Sequence, residues 1–224
     1  MKVIFLSHFI SENTPLYGGE KSITLRQVKS IKKGDSCNTM YWSFPNHIGT
    51  HVDAPSHFLE KGLSISDFNA GFWIFNEVTL IEIFNVKPGC IIEPENINNI
   101  KDCELLLIKT GFEKYRAEEI YWQNSPSLHP KLAFYLKDKC PFLRAIGIDF
   151  ISISSLSNRE LGRKAHRAFL ERDIILIEDM KLSEIHYSPD TVIVAPLLIK
   201  DADAAPATVF GIYYEDGGIY ERFL

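Results

Sequence analysis

Residues 46–57 read NHIGTHVDAPSH, a run that holds three histidines and one aspartate. Side chains on an extended strand repeat every second residue, so His51 and Asp53 share one face with their Cα atoms roughly 6.6 Å apart. That separation suits two ligands of a single cation. The pattern therefore predicts a β-strand that carries a metal site.

His47 is harder to bring to the same cation. Four strand residues span roughly 13 Å, which is near the limit at which His47 and His51 could reach one metal. A bend is needed between them, and Gly49 can supply it because a residue without Cβ tolerates a bulge or a positive φ. We therefore expect Gly49 to act through its backbone.

The mixture of residue types indicates what kind of metal site this is. One histidine in a strand is more often a buried or surface residue than a ligand. Three histidines with an aspartate are different, because burying so many titratable groups without a cation would be costly. No cysteine lies in the segment, which disfavours a closed structural zinc and favours a catalytic metal with an open position.

Further ligands should come from elsewhere in the chain, and His166 and Glu178 are the candidates. His166 lies on a predicted helix, one residue from its apolar stripe, and Glu178 ends the strand that follows. On periodicity alone, His166 could equally be a buried structural histidine, and Glu178 could begin a polar loop.

Length and composition bound the rest. The chain has 224 residues, 46% hydrophobic and 24% charged, with a formal net charge of −5. One substantial core is expected, and hence a single domain over residues 1–224. Basic residues are dispersed and no apolar run could span a bilayer, so neither nucleic acid nor membrane is an expected partner. Four cysteines without paired spacing indicate reduced thiols and a cytoplasmic location.

Short aliphatic and β-branched runs recur along the chain. They predict strands at the N-terminus and at residues 78–84, 104–110, 145–149, 173–178, 191–199 and 208–214. Helices are predicted over residues 130–139 and 158–172, the second with a capping box of Ser157 and Glu160, and a loop over residues 12–20. Mixed strands with few helices predict an α/β (α+β) domain with sheet packed on sheet and helices outside.

The histidine-rich segment resembles the signature of the cyclase-like metal-dependent hydrolases, a family that includes bacterial kynurenine formamidases. The resemblance is carried by His47-x-Gly49-Thr50-His51-x-Asp53-Ala54-Pro55-x-His57. It extends over nearly the whole chain, through Leu6-Ser7-His8, Gly147-Ile148-Asp149, His166-Arg167, Glu178, Ala195-Pro196-Leu197 and Ala202-Asp203-Ala204-Ala205-Pro206.

The resemblance implies a swivelling β/β/α fold with mixed sheets, a homodimer, and one or two divalent ions per chain, usually Zn²⁺ and in some members Mn²⁺. By that similarity His47, His51 and Asp53 bind the first ion. Asp53 then bridges to a second ion held by His166 and Glu178.

Two further roles follow from the same resemblance. His57 would be the catalytic proton-transfer residue. Where the family has a Trp-Pro-Gly turn that contacts an aromatic substrate, this chain has Tyr17-Gly18-Gly19. Tyr17 would therefore offer an aromatic face to the substrate.

A divalent cation lowers the pKa of its bound water toward about 7 and polarises the carbonyl under attack. Together with the resemblance, this chemistry predicts a hydrolase of small amides at C–N bonds other than peptide bonds. The specific expectation is an arylformamidase that converts N-formylkynurenine to kynurenine and formate, a step of tryptophan catabolism. Three alternatives stay open: an isatin-type cyclic amide, ester or lactone hydrolase; a non-heme iron oxygenase; and a metal-binding protein without activity.

Overall fold

A computed structural model describes residues 1–19, 21–97 and 100–214. Glu20, at the end of the predicted loop, and residues 215–224 of the predicted domain lie outside the described residues. Within the described ranges, no helix combines the length and hydrophobicity needed to traverse a bilayer.

The strands, in chain order, are β1 (Lys2–Phe5), β2 (Thr24–Lys29), β3 (Thr39–Ser43), β4 (His51–Asp53), β5 (Ile74–Phe75), β6 (Val78–Glu82), β7 (Ile91–Ile92), β8 (Leu105–Lys109), β9 (Ser127–Leu128), β10 (Ala145–Ile148), β11 (Ile175–Glu178), β12 (Thr191–Pro196) and β13 (Ala204–Tyr213). The α-helices are α1 (Ile120–Gln123), α2 (Pro130–Lys139) and α3 (Arg159–Leu170).

Nine strands form one mixed sheet in the order β5-β12-β13-β4-β11-β10-β8-β6, with β1 paired to β13. Strands β6, β8, β10 and β11 run parallel to one another. Strand β4 is antiparallel to both of its neighbours, β11 and β13. The predicted fold class, a mixed α+β arrangement with a large mixed sheet and few helices, is confirmed.

Three of the parallel strands, β8, β10 and β11, are buried on both faces, because they are apolar at successive positions. All five residues of β8 are buried. Leu106 and Ile108 belong to the core that α2 and α3 cover, whereas Leu105 and Leu107 belong to a second core shared with β12 and β13. Successive side chains of β8 thus point to opposite faces of the sheet and pack into two different cores.

Most predicted elements are present with shifted ends. Helix α2 covers the predicted residues, and α3 ends at Leu170 rather than at residue 172. The predicted capping box of Ser157 and Glu160 is wrong. Residues 156–158 form a 3₁₀ turn, and the helix is capped by Asn158, whose Oδ1 accepts a hydrogen bond from Leu161 N at 3.3 Å.

Candidate active site

The strand that carries the histidine motif is short, and the chain turns before it. Gly49 has a φ of 55°, in the left-handed region that favours glycine. The bend predicted at Gly49 is therefore present. His51 and Asp53 lie on one face of β4, while Val52 is buried in the core on the other face.

Four buried side chains meet on one face of the sheet, and we call them the floor: His51, Asp53, His166 and Glu178. Each is at most 4% exposed. His51 and Glu178 are register partners on β4 and β11, which places His51 Nε2 3.5 Å from Glu178 Oε2. Helix α3 brings His166 Nε2 to 3.6 Å from both Asp53 Oδ2 and Glu178 Oε1.

Backbone carbonyls orient the two floor imidazoles. His51 Nδ1 lies 2.8 Å from the Gly49 carbonyl, and His166 Nδ1 lies 2.9 Å from the Gly162 carbonyl. Because a carbonyl can only accept, each ring carries its proton on Nδ1 and turns Nε2 toward the floor carboxylates. A Cβ at position 162 would lie 2.0 Å from the Ser154 Cβ, so this approach of α3 requires glycine.

The two floor carboxylates are held differently. Glu178 Oε1 accepts hydrogen bonds from Ile153 N at 2.7 Å and Ser152 Oγ at 3.2 Å. Both oxygens of Asp53 are buried without a hydrogen-bond partner. His47 Nδ1 and His51 Nε2 lie 3.0 and 3.4 Å from Asp53 Oδ1, so nitrogens surround a carboxylate that makes no hydrogen bond of ordinary geometry.

The lack of a hydrogen-bond partner for the Asp53 carboxylate bears on whether these residues fit a metal ion. Buried polar atoms nearly always find a partner, so a buried carboxylate without one calls for a specific explanation. A divalent cation shared by Asp53 and the surrounding donors provides it. Imidazole nitrogens and carboxylate oxygens are the ligands that catalytic zinc and manganese take, and the residues present fit such an ion.

Three less buried side chains stand beside the floor, and we call them the rim: His47, His57 and Asp203. Their side chains are 27%, 26% and 41% exposed. Asp203 Oδ2 lies 2.9 Å from His57 Nδ1 and 3.3 Å from His47 Nε2. Its Oδ1 accepts a hydrogen bond from Asn46 Nδ2 at 2.8 Å. No rim residue lies on a strand, so hydrogen bonds rather than sheet pairing position these groups.

All five predicted metal ligands and His57 thus lie together. Two sets have their donor atoms within 4.8 Å of one another, namely His51, Asp53 and Glu178, and His47, Asp53 and His57. Asp53 belongs to both sets.

Charge and burial set the protonation of the cluster. At His166 burial opposes the charged imidazolium, but Asp53 and Glu178 outweigh it and raise the pKa to about 10. The same carboxylates raise the pKa of His51. Burial also opposes a charged Asp53, yet the imidazoles around it hold its pKa well below the usual range. At His57 burial prevails and lowers the pKa, which keeps that imidazole neutral near pH 7.

The cluster opens into a cavity of about 400 Å³. Phe58 stacks on His166 with ring centroids 4.6 Å apart and forms part of the cavity wall. Tyr17, the predicted substrate-binding residue, also lines the cavity, and its hydroxyl accepts a hydrogen bond from Ser154 Oγ at 3.2 Å. The volume and the mixed lining suit a small organic substrate.

The sequence did not predict a buried hydrogen-bond network around Asp179, next to the floor. Asp179 follows Glu178 with a φ of 50°. The Arg116 guanidinium donates to its carboxylate from Nε at 2.9 Å and Nη2 at 2.7 Å, and the Tyr121 hydroxyl donates to it as well. Thr50 Oγ1 donates to the Asp179 carbonyl at 2.6 Å. This network fixes the turn after Glu178.

Sequence reasoning also missed Asp203, Arg159 and Arg163. For Asp203, the only available signal was its place in the segment that resembles the family, to which no role had been attached. Arg159 and Arg163 line the cavity from α3. They lie seven and three residues before His166, and that helical spacing was a signal that could have placed them on the same face of the helix.

Comparison with known proteins places the chain in a family and supports its fold. Residues 4–155 match the family described as Putative cyclase. A kynurenine formamidase of Bacillus cereus is 31% identical over 203 residues, which cover 91% of this chain and 93% of that protein. A solved structure titled a potential metal-dependent hydrolase with cyclase activity has a TM-score of 0.76 at 24% identity, and covers 96% of this chain and 98% of its own.

Isatin hydrolase A from Labrenzia aggregata, solved with benzyl benzoate, has a TM-score of 0.81 at 18% identity. That alignment covers 96% of this chain and 94% of the hydrolase. At these identities the two structures support the fold.

Proposed function

The chain belongs to the Putative cyclase family, and we propose that it is a metal-dependent hydrolase of small amides, most specifically an arylformamidase acting on N-formylkynurenine. The observation that carries the proposal is the buried, unpartnered Asp53 carboxylate among imidazole nitrogens at the base of a cavity. The kynurenine formamidase relative supports the choice of substrate.

The floor residues and His47 would hold one or two divalent ions, with zinc and manganese as the candidates. When bound, such an ion acidifies a coordinated water and polarises the substrate carbonyl. Because Nδ1 of His51 and of His166 faces a backbone carbonyl, Nε2 is the atom that each ring would offer to an ion, and the ion would take the place of the proton that the raised pKa of His166 puts there.

His57 is placed to move the proton that hydrolysis requires. Asp203 accepts a hydrogen bond from His57 Nδ1, which leaves Nε2 free to take a proton from the attacking water. Oxygen then bonds to the formyl carbon, the C–N bond breaks, and the departing nitrogen receives that proton. The products are formate and the aryl amine.

Two aromatic residues would position the substrate. Tyr17 offers a ring for the aryl group of the formamide, and its hydroxyl is held by Ser154. Phe58 covers His166 and excludes water from one side of the floor.

The test is an assay of purified protein loaded with zinc and, separately, with manganese. We expect formate release from N-formylkynurenine, and we expect it to persist without oxygen. Isatin hydrolysis without formamidase activity would move the assignment to cyclic amides. A strict requirement for oxygen would indicate an oxygenase. A fully metal-loaded protein inactive on a broad panel of amides and esters would indicate a binding protein.

We also propose that the protein is a homodimer. The hairpin of β2 and β3 has almost no buried residue, and Met40, Tyr41 and Trp42 are exposed on it. A two-stranded hairpin is marginally stable alone, and exposed apolar patches of this kind usually mark interfaces. A second copy can cover the same patch reciprocally. Light scattering should give twice the chain mass, whereas a monomer at micromolar concentration would refute the proposal.

A further inference from the structure

Helix α3 presents two arginines to the cavity on the same face as a floor residue. Arg159, Arg163 and His166 are spaced four and three residues apart, which places them on one stripe of a helix. All three line the cavity. With a rise of 1.5 Å per residue, Arg163 and Arg159 lie about 5 and about 10 Å from His166 along the helix axis.

Both arginines are exposed. Among the described residues no carboxylate lies within ion-pair distance of either guanidinium and neither guanidinium donates a hydrogen bond, although Glu160 attracts Arg163 at longer range. On the same helix, Lys164 does pair, with Glu160 at 2.7 Å. The two guanidinium groups therefore keep their full hydrogen-bonding capacity for a ligand.

The positions of the two arginines do not stabilise helix α3. Like charges four residues apart destabilise a helix slightly, and cations in the first turn oppose its dipole. Arg159 is the first residue of α3, and Arg163 follows one turn later. A local cost without a compensating protein contact is typical of residues that serve binding.

The other charges around the cavity are already balanced. Asp179 is paired with Arg116 at 2.7 Å. The floor carboxylates lie among imidazoles and would be shared with the divalent ion. Glu160 is in direct contact with Lys164 and attracts Arg163 only at longer range, so the cavity wall at Arg159 and Arg163 keeps a positive charge.

We propose that Arg159 and Arg163 form a subsite for a carboxylate of the substrate, on the side of the cavity that the first turns of α3 line. The inference rests on the proposed amide hydrolysis and adds to it the two residues that would recognise the carboxylate of the substrate. Tyr17 lies within electrostatic range of both arginines and of Glu178, so an aromatic spacer between amide and carboxylate would pass its ring.

The test compares a matched pair of formamides on the zinc- or manganese-loaded enzyme. One probe is 4-(2-formamidophenyl)-4-oxobutanoate, which carries the carboxylate, and the other is its methyl ester. Formate release reports on both. The variant is Arg159→Gln with Arg163→Gln, and the control is Lys164→Gln with Arg167→Gln, which removes two positive charges from the same helix outside the cavity lining.

We expect the wild-type enzyme to favour the carboxylate probe over the ester by about ten-fold in KM. The Arg159→Gln/Arg163→Gln variant should lose most of that preference with little change in kcat. The lost contact with the carboxylate would stabilise the bound substrate and the transition state equally, so its removal raises KM alone. The control should keep the preference. An unchanged preference in the arginine variant, or an equal loss in the control, would overturn the proposal.

A binding measurement distinguishes failure of the carboxylate subsite from failure of the proposed amide hydrolysis. If no protein hydrolyses either probe, calorimetry with 4-oxo-4-phenylbutanoate, which lacks the formamide, decides. Binding about ten-fold weaker to the arginine variant than to the control would retain the subsite while the proposed activity fails. Equal binding to both would overturn the subsite as well.

Discussion

The floor and the rim of the cavity are built in different ways. His51, Asp53 and Glu178 lie on adjacent strands in the middle of the sheet, and each is at most 4% exposed. The rim residues His57 and Asp203 lie outside the strands, 26% and 41% exposed, and hold one another by a hydrogen bond of 2.9 Å.

This difference separates two tasks. Groups that bind a metal need fixed positions, which paired strands and backbone hydrogen bonds provide. Groups that move protons or meet different substrates can lie on loops held by a rigid scaffold. We therefore expect substitutions on the floor to abolish activity together with metal binding, and substitutions of the rim residues His57 and Asp203 to reduce turnover while the metal stays.

The largest effect should follow from Asp53→Asn, which breaks the floor. The substitution keeps the shape but removes the charge shared by both donor sets, so kcat/KM for the best substrate should fall by at least about 1000-fold. Steady-state assays against Asp102→Asn, an exposed aspartate outside the cavity, check this. A loss below about ten-fold would show that Asp53 is not at the centre of the chemistry.

His57→Gln tests the rim at its proposed proton carrier. Loss of general acid–base catalysis should lower kcat by about 100- to 1000-fold, while metal content stays at the wild-type value. The exposed His186→Gln is the control. Full turnover would refute the proton-transfer role, and loss of metal would place His57 among the ligands instead.

A smaller loss of kcat is expected from Asp203→Asn, which weakens the hydrogen bond to His57 without removing a reacting group. Weaker orientation of His57 should reduce kcat by about 10- to 100-fold and leave metal content unchanged. Asp201→Asn, a neighbouring exposed aspartate, should behave like wild type. Equal activity of the two variants would mean that His57 does not depend on Asp203.

The smallest effect concerns stability near the site rather than catalysis. Asp149 at the end of β10 accepts hydrogen bonds from Thr110 and Gly111, and burial nevertheless raises its pKa to about 6. The folded protein thus holds this proton more tightly than the unfolded chain. The stability it contributes is complete at low pH, below the unfolded pKa, and is lost as pH rises through about 6.

Relative to Asp149→Asn, the free energy of unfolding of the chelated wild-type protein should therefore fall by about 1 kcal/mol between pH 5 and pH 7. Urea titrations at the two pH values measure the difference. Parallel behaviour of the two proteins would show that Asp149 does not titrate in this interval.

The contrast between floor and rim also explains what could be predicted from sequence. His51 and Asp53 follow from strand periodicity, and the bend at Gly49 follows from the reach of two imidazoles. The pattern alone leaves a structural role for His166 and Glu178 open, and the family resemblance is what predicts them as ligands. Asp203 could not be derived, because its contact with His57 joins residues 146 positions apart and depends on how β13 returns beside β4.

Prediction of the strands from the sequence also succeeded only where burial leaves a clear pattern. Strands with apolar runs were found, since burial on both faces leaves a clear signal. The hairpin of β2 and β3 was missed because its residues are exposed and show no alternation. Strand β13 was predicted to begin at residue 208 but begins at Ala204, since Pro206 is atypical of a strand interior.

The central claim is that the floor binds a divalent metal, and elemental analysis of protein purified without chelator tests it most directly. We expect one to two zinc or manganese ions per chain in the wild-type protein and a large loss in Asp53→Asn. Wild-type protein that carries no divalent ion, even after incubation with zinc or manganese and removal of the excess, would contradict the account.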